Sequence, residues 1–216
     1  MSQDINIKDL RQNYETRTLE EDNVNKDPFK QFQLWMDEAL AADFVEPNAM
    51  NVATVNKDGD ISSRMVLLKG FDEKGFVFFT NYQSNKANDL ASINKAALNV
   101  WWDKLHRQVR VNGAVEKVSR EETVKYFHSR PRGSQIGAVA SQQSRVIKNH
   151  VMLEEEYKKI ESQFEGQEIP CPEHWGGYRV IPEQFEFWQG RPNRLHDRLR
   201  YAKTDSDEWK IERLSP

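Results

Sequence analysis

The sequence predicts a mainly β fold with peripheral helices, arranged as a barrel or a sandwich. Short runs of apolar and β-branched residues recur along most of the chain, and the residues between them are typical of turns, as at Asp58-Gly59. Helical spacing of apolar residues is confined to a few segments. Because many strands joined by short connections are typical of barrels and sandwiches, the sequence favours these two architectures.

The composition is that of a folded globular protein. Of the 216 residues 38% are hydrophobic and 11% aromatic, and a net charge of -3 gives no electrostatic reason to expect nucleic-acid or membrane binding. The single cysteine, Cys171, excludes an intrachain disulfide and suits a reducing compartment. Residues 1–26 are polar, with few apolar anchors. We therefore expect a cytoplasmic protein with a flexible N-terminal segment that could act as a lid at 1–26, and a single domain at 27–216.

The first half of the chain is predicted to begin with a helix and continue in strands. Asp27-Pro28 is a typical helix start, with an acidic N-cap before a proline. The apolar residues that follow at helical spacing are Phe29, Phe32, Trp35 or Met36, and Leu40. Strands at 50–55, 61–68 and 76–80 are expected to form an antiparallel meander. A short helix at 84–93 is expected next.

The second half is predicted to contain further strands with helices between them. A strand pair is expected at 96–102 and 107–118. Ser119 and Glu122 form a capping box, which indicates a helix through Tyr126 and Phe127. The remaining predicted elements are a short helix at 135–140, a helix with an apolar stripe of Leu153, Tyr157, Ile160 and Phe164, and strands at 178–181, 184–189, 194–203 and 209–214.

The densest group of polar side chains lies at 187–198. If the chain is extended from Arg194, then Arg194, His196 and Arg198 share one side, since side chains alternate along a strand. Guanidinium groups bind phosphate and stack on rings, and imidazole titrates near neutral pH, so this side would suit an anionic planar ligand. A solvated edge strand that carries charges against aggregation explains the same pattern equally well.

A second polar cluster lies at 126–135. Tyr126 and Arg130 are four residues apart and share a helix face, and Ser134 follows a glycine-containing turn. Together they offer two hydroxyls and a guanidinium to one phosphate group. Cations are also enriched at helix C-termini for electrostatic reasons, but we favour the phosphate site here.

Two weaker patterns are explained by local structure as well as by function. Arg64 and Lys69 flank an apolar strand, and flanking cations are usually solvated. Ser84 and Lys86 open a helix, where backbone N–H groups favour an anion, although an N-cap requires only Ser84. The sequence has no set of residues with metal-ligand spacing. It also has no dinucleotide-binding glycine motif and no P-loop, so if a nucleotide cofactor binds, FMN on a barrel is favoured over NAD.

The sequence also resembles a known family. Phe-Trp-Gln-Gly-Arg-Pro at 187–192 followed by Arg-Leu-His-Asp-Arg at 194–198 is similar to the C-terminal signature of the pyridoxine (pyridoxamine) 5'-phosphate oxidases. The resemblance extends over nearly the whole chain. It implies an FMN-binding split antiparallel β-barrel at 27–216 and a homodimer with FMN at the interface. The reaction implied is oxidation of pyridoxine or pyridoxamine 5'-phosphate to pyridoxal 5'-phosphate, with dioxygen as electron acceptor.

The same resemblance assigns roles to residues that match the family's motifs. Substrate contacts are expected from Arg11, Tyr14, Lys69, Tyr126, Arg130, Ser134, Arg194, Leu195 and His196, of which Arg194 and His196 are the candidate catalytic residues. FMN contacts are expected from Arg64, Met65, Val66, Leu67, Leu68, Lys69, Phe79, Thr80, Lys86, Gln108, Gln143, Ser144, Trp188 and Arg198. Asn85 and Phe79 depart from the family, which commonly has Arg and Tyr there. His196 could move a proton or only orient the substrate.

Two alternative functions follow from the same residues. One is a different FMN-dependent split-barrel reductase or oxygenase. The other is a carrier that binds vitamin B6 phosphates without catalysis. Turnover of pyridoxine phosphate under air separates the first from the expected oxidase, and a visible flavin spectrum separates the second.

Overall fold

The computed structural model describes Tyr14 and residues 17–216, so the predicted substrate contact Arg11 lies outside the described residues. That part of the chain contains five α-helices and nine β-strands. The helices are α1 (Pro28–Ala41), α2 (Asn85–Ser92), α3 (Arg120–Ser129), α4 (Arg132–Ala140) and α5 (His150–Gln163). The strands are β1 (Ala49–Val55), β2 (Ile61–Leu67), β3 (Gly70–Asp72), β4 (Gly75–Asn81), β5 (Lys95–Trp102), β6 (Arg107–Lys117), β7 (Trp175–Gln189), β8 (Asp197–Lys203) and β9 (Trp209–Arg213).

The predicted start of α1 is confirmed, and its buried face needs one correction. The Asp27 carboxylate accepts a hydrogen bond from the Phe29 N–H at 2.9 Å, which satisfies one of the free donors of the first turn. Leu40 was expected on the buried stripe, but it is 61% exposed and Ala39 is buried instead. With 3.6 residues per turn, position 39 continues the face of Phe32 and position 40 lies beyond its edge.

The predicted capping of α3 is also confirmed. Ser119 Oγ accepts a hydrogen bond from the Glu122 N–H at 3.0 Å. We expect Ser119→Ala to lower the free energy of unfolding by about 1 kcal/mol, because that N–H loses its partner at the helix start. Denaturant unfolding of the two proteins measures this difference, and Ser119→Asp, which can still cap, should restore most of the loss.

The chain forms two compact units. The central unit comprises Asn48–Leu98 and Val111–Glu183, and the terminal unit comprises the residues up to Pro47 with Asn99–Arg110 and Gln184–Pro216. Strands of the central unit are hydrogen-bonded in the order β2-β1-β5-β6-β7-β4-β3. In the terminal unit β8 pairs antiparallel with β7 and with β9. The strands β5, β6 and β7 each contribute residues to both units.

The expected three-strand meander is wrong. β1 and β2 form the predicted antiparallel hairpin, but β4 pairs with β3 and with β7. The reason is that the segment after β2 contains its own short strand, so the turn before β4 closes a hairpin with β3. This arrangement places β4 next to β7, and both strands lead to the functional site.

The strands at 178–181 and 184–189 are one strand, β7, which continues through Pro182. Proline lacks the N–H of a regular ladder, and the neighbouring β6 carries Gly113 at this level. A Cβ on Gly113 would lie 1.9 Å from the Ile181 carbonyl oxygen. Glycine therefore permits a close approach of two backbones that no other residue allows.

The core that supports the site in the central unit lies beneath α3, α4 and α5. Its buried members are Phe127, Ile136, Ala140, Ile160, Ile169 and Trp175. Packing of this kind fixes the ends of α3 and α4, from which the site residues project. In the described part of the chain, no helix combines the length and the apolar character that crossing a membrane requires.

Candidate cofactor and substrate site

A cavity of about 950 Å³ lies in the central unit. It brings together most of the residues predicted there: Arg64, Met65, Val66, Leu67, Lys69, Phe79, Thr80, Lys86, Tyr126, Arg130, Ser134, Gln143 and Ser144. Leu68 is buried beside this wall, with 5% of its surface exposed. The lining residues that the sequence did not single out include Asn81, Pro131, Gly137, Ala138, Ser141 and Trp175.

The charged side chains that line the cavity in the described part of the chain are all cationic. Four cationic residues line it, and they are Arg64, Lys69, Lys86 and Arg130. No aspartate or glutamate is among the lining residues in the described part of the chain. A concave wall with several cations and no carboxylate attracts anions and is suited to phosphate groups.

Lys86 is the most buried of these cations. Only 8% of the residue is exposed, and its Nζ donates to Thr80 Oγ1 at 3.0 Å and to Gln143 Oε1 at 2.9 Å. Burial, followed by the nearby charge of Arg64, lowers the Lys86 pKa to about 8. Since these hydrogen-bond acceptors are neutral, a bound anion would supply the missing countercharge.

Arg64 projects from β2 and is held by the hairpin it belongs to. Its guanidinium donates to Thr54 Oγ1 at 2.7 Å and to Ser62 Oγ at 2.6 Å, and Asp89 of α2 lies 3.9 Å away. Burial lowers the Arg64 pKa, and Asp89 opposes that shift. These contacts fix the side chain before any ligand binds.

The start of α2 and the loop after α4 meet at the same wall. The backbone N–H of Asn85 donates to Ser144 Oγ at 3.3 Å. Asn85 also lines the cavity. A helix N-terminus is compatible with an anion, so this part of the wall can face an anion although the side chain of Asn85 carries no charge.

Arg130 lies at the end of α3, on the part of the wall formed with Tyr126 and Ser134. Its guanidinium carbon is 4.6 Å from the centre of the Trp175 ring. Its Nη1 is buried and has no hydrogen-bond partner among the described residues. Burial lowers the Arg130 pKa. An unpaired buried donor on a cation is costly, and an anionic ligand in the cavity would satisfy it.

The other predicted residues that the structure describes lie in the terminal unit. The rings of Trp188 and His196 are 4.6 Å apart, and Tyr14 is 5.7 Å from His196. Tyr14 also packs against His106 at 4.3 Å. A Cβ on Gly190 would meet the Tyr14 ring at 2.9 Å, so this glycine allows the ring to approach the backbone.

The imidazole of His196 has a defined hydrogen-bond arrangement. Its Nδ1 accepts from the backbone N–H of Arg191 at 3.1 Å. Burial lowers the His196 pKa, and the charge of Arg194 acts in the same direction. In the neutral ring the proton therefore resides on Nε2, which is free to donate.

The prediction that Arg194, His196 and Arg198 share one side of a strand is wrong. Asn193 and Arg194 have φ angles of 56° and 62°, within a short turn of 3-10 helix at Pro192–Arg194. The strand β8 begins only at Asp197, so alternation does not extend back to Arg194. Arg194 is exposed, and Leu195 is 69% exposed.

Arg198 is held by a buried carboxylate that the sequence did not reveal as important. Glu186 is 3% exposed, and its Oε1 accepts from Arg198 Nε at 2.8 Å. Its other oxygen lies 3.5 Å from Arg110 Nη1. Alternation along β7 places Trp188 on the same face as Glu186, and Arg198 is the register partner of Trp188. Gln108 and Arg110 are two residues apart in β6 and lie on one face of that strand. Because Arg110 contacts Glu186, Gln108, Trp188 and Arg198 share one face of the terminal unit.

Models of two protein families match the chain. The model described as pyridoxamine 5'-phosphate oxidase matches residues 36–164. The model described as the pyridoxine 5'-phosphate oxidase C-terminal dimerisation region matches residues 175–216. Together they cover most of both units.

Individual proteins agree with these matches. A pyridoxine/pyridoxamine 5'-phosphate oxidase from Gloeothece citriformis is 56% identical and covers 99% of this chain and 100% of that protein. One from Bordetella petrii is 54% identical over 98% of this chain.

Solved structures show the same fold. PhzG from Burkholderia lata, solved with tetrahydrophenazine-1-carboxylic acid, has a TM-score of 0.88 and 28% identity, and covers 95% of this chain and 100% of its own. An FMN-binding protein from Nostoc punctiforme has a TM-score of 0.70 at 17% identity and covers 86% of this chain and 97% of its own. These structures confirm the predicted fold class, a mainly β split barrel with peripheral helices. The chain belongs to the pyridoxine/pyridoxamine 5'-phosphate oxidase family.

Proposed function

We propose that this protein oxidises pyridoxine 5'-phosphate or pyridoxamine 5'-phosphate to pyridoxal 5'-phosphate, with FMN as cofactor and dioxygen as electron acceptor. The alcohol and dioxygen give the aldehyde and hydrogen peroxide, and the amine also consumes water and releases ammonia. The observation that carries the proposal is the cavity wall, whose lining residues in the described ranges include four cations and no carboxylate. Such a wall suits two ligands that each carry a phosphate. A cytoplasmic location, as expected from the sequence, stays a prediction.

The substrate phosphate is assigned to one part of this wall. Lys69, Tyr126, Arg130 and Ser134 line the same cavity, and together they offer two cations and two hydroxyls to one phosphate. The unpaired Nη1 of Arg130 supports this assignment, because a phosphate oxygen would complete its hydrogen bonding. Arg11, Tyr14, Arg194 and Leu195 are proposed as further substrate contacts.

FMN is assigned to the wall formed by β2, β4 and the start of α2. Arg64 and Lys86 would hold its phosphate, with the backbone at 65–68, Lys69, Phe79, Thr80, Gln143 and Ser144 around it. When bound, FMN supplies the hydride-accepting chemistry and reacts with dioxygen. The residues of this chain contribute binding, orientation and charge matching.

Gln108, Trp188 and Arg198 are proposed to contact FMN of the partner subunit in a homodimer. Trp188 and Arg198 lie within residues 175–216, which match the family model described as a dimerisation region. Trp101, which is 46% exposed, packs against Trp188 at 5.8 Å. An exposed tryptophan beside these residues is typical of a face that another surface covers.

His196 is proposed to orient the substrate as a hydrogen-bond donor. Its Nδ1 is already engaged by the Arg191 N–H, and burial lowers its pKa, which favours the neutral ring. The Nε2–H can then donate to a substrate oxygen or to the pyridine ring substituents. A role as general base would require Nδ1 to exchange its backbone partner for the substrate proton.

The proposed function is tested with the purified protein reconstituted with FMN. We expect pyridoxine 5'-phosphate under air to yield aldehyde and peroxide in equal amounts. A flavin spectrum without aldehyde would indicate a different split-barrel enzyme. Stoichiometric binding of pyridoxal 5'-phosphate by a protein that does not retain FMN would indicate a carrier.

FMN affinity is expected to fall as the pH rises above about 8. Lys86 attracts the FMN phosphate only when protonated, and its pKa in the free protein is about 8. Bound phosphate raises that pKa, so the dissociation constant should rise by up to about tenfold per pH unit above 8. Fluorescence titration of FMN between pH 7 and 10 measures this change.

Two variants check that Lys86 is responsible. Lys86→Met should weaken FMN binding at pH 7 and remove most of the dependence above pH 8. Lys95→Met, which replaces a 63% exposed lysine side chain, should leave the profile unchanged. The unliganded wild-type protein should gain stability between about pH 8 and 10.5, because its unfolded state then binds more protons than its folded state. An unchanged pH profile in Lys86→Met would contradict the assignment.

A further inference from the structure

We infer that Trp175 is a positioning residue that holds the phosphate-binding groups Arg130 and Tyr126 in place. No role was predicted for it from the sequence, where it stands before the Gly176-Gly177 pair. The inference rests on the proposed function, since it concerns the end of the cavity assigned to the substrate phosphate. It is carried by the ring geometry around Trp175 and by the contacts of Arg130.

Three rings form a nearly parallel group, which we call the ring group: Phe79, Tyr126 and Trp175. Phe79 and Tyr126 are 4.0 Å apart with an interplanar angle of 25°, and Phe79 and Trp175 are 5.4 Å apart at 13°. Tyr126 and Trp175 are 6.1 Å apart at 12°. All three residues also line the cavity. Because each ring contacts the other two, the position of the Tyr126 hydroxyl depends on the whole group.

Gly176 and Gly177 follow Trp175 directly in the sequence. In the structure both glycines lie inside β7, and Gly177 is the register partner of Phe79. A Cβ on Gly177 would meet the Phe79 ring at 2.9 Å and Val118 Cγ2 at 2.7 Å. The absence of a side chain at Gly177 therefore leaves the space that the Phe79 ring of this group occupies.

The guanidinium of Arg130 lies over the ring face of Trp175 in the cavity wall. The guanidinium lies 4.6 Å from the Trp175 ring centre and 5.9 Å from that of Phe127. Its buried Nη1 has no hydrogen-bond partner among the described residues. Stacking uses the flat face of a guanidinium and leaves its N–H edge free. Trp175 can thus fix the direction of Arg130 without competing with phosphate for its donors.

Trp175 itself is firmly placed. It is 6% exposed within the core of the central unit, and its backbone N–H donates to the Pro172 carbonyl at 3.1 Å. A rigid ring that supports a flexible arginine lowers the entropy lost when phosphate binds. We therefore expect its effect to appear in phosphate binding and not in the chemical step.

Steady-state kinetics of the FMN-loaded enzyme with Trp175→Phe and Trp175→Leu test the inference. We expect Trp175→Leu to raise KM for pyridoxine 5'-phosphate about ten- to thirtyfold with kcat changed less than about threefold, since it removes a cation–π contact at a desolvated site. Trp175→Phe keeps a ring face and should raise KM only about threefold. The dissociation constant for pyridoxal 5'-phosphate should follow KM, and that for unphosphorylated pyridoxal should not.

Ile160→Ala is the matched control, because Ile160 is 7% exposed in the same core and is outside the cavity lining. It should lower the melting temperature and leave KM unchanged. The inference is overturned if KM rises with loss of stability in all three variants, or if Trp175→Leu binds pyridoxal 5'-phosphate like the wild type. Failure of the proposed function is distinct, because the wild-type enzyme would then form no aldehyde.

Discussion

An Arg130→Met variant is expected to oxidise pyridoxine 5'-phosphate with a kcat/KM roughly 10²–10³-fold below that of the wild-type enzyme. Among the residues that the structure describes, no carboxylate lines the cavity around this guanidinium and no acceptor pairs with its buried Nη1. Charge-assisted hydrogen bonds to phosphate contribute about 1.5–3 kcal/mol each, and the loss of two bonds at about 1.5–2 kcal/mol each would give a decrease of this size. Arg130→Lys keeps the charge but loses the planar fork, so we expect about a tenfold decrease.

Arg132, two residues along the chain, provides the control. It is exposed, and its Nη1 donates to the Gln167 carbonyl at 2.9 Å outside the cavity lining. Arg132→Met should therefore retain wild-type kinetics. Binding of pyridoxal 5'-phosphate and of pyridoxal to each variant, measured by calorimetry, isolates the phosphate contribution. If Arg130→Met still prefers the phosphorylated compound as strongly as the wild type does, Arg130 is not the phosphate ligand.

Glu186→Ala is expected to lower the free energy of unfolding by about 3 kcal/mol. Its carboxylate is 3% exposed and is the partner of both Arg198 and Arg110. Without it two cations remain close together on one face, and part of their desolvation is uncompensated. For a chain of 216 residues this corresponds to a fall in melting temperature of roughly 6–12 °C. We also expect weaker FMN binding, because Arg198 loses the contact that fixes its Nε.

Glu183 lies on the same strand as Glu186 and provides the control. Its replacement shows how much stability is lost when an exposed glutamate of this strand is removed. Its side chain is 53% exposed and pairs with Lys95 at 3.1 Å. Glu183→Ala should change stability by less than about 1 kcal/mol, as is usual for surface ion pairs. Glu186→Gln, which retains an acceptor for Arg198 Nε, should lie between wild type and Glu186→Ala. Equal melting temperatures for Glu183→Ala and Glu186→Ala would show that the buried pair does not stabilise the fold.

Residues near one another in the sequence could be assigned to the site from local patterns alone. Tyr126 and Arg130 were predicted to share a helix face, and although α3 ends at Ser129 and Arg130 follows it in an extended conformation, both residues line the cavity. The pattern failed at Arg194, where two residues with positive φ interrupt the alternation that was assumed. Trp175 and Glu186 were missed because an aromatic before two glycines, or a glutamate within a strand, has no local signature of function.

The sequence by itself determined most of the helices and strands, since capping, turn residues and apolar periodicity act over a few residues and need no distant partner. It also determined the family, because two long motifs carry enough residues to exclude a chance match. Only the tertiary structure showed which cationic side chains line the same cavity. Arg64, Lys86 and Arg130 are brought to one wall by the pairing of distant strands, and the low pKa of Lys86 arises from that burial. Long-range pairing and desolvation depend on residues far apart in the chain, which local patterns do not encode.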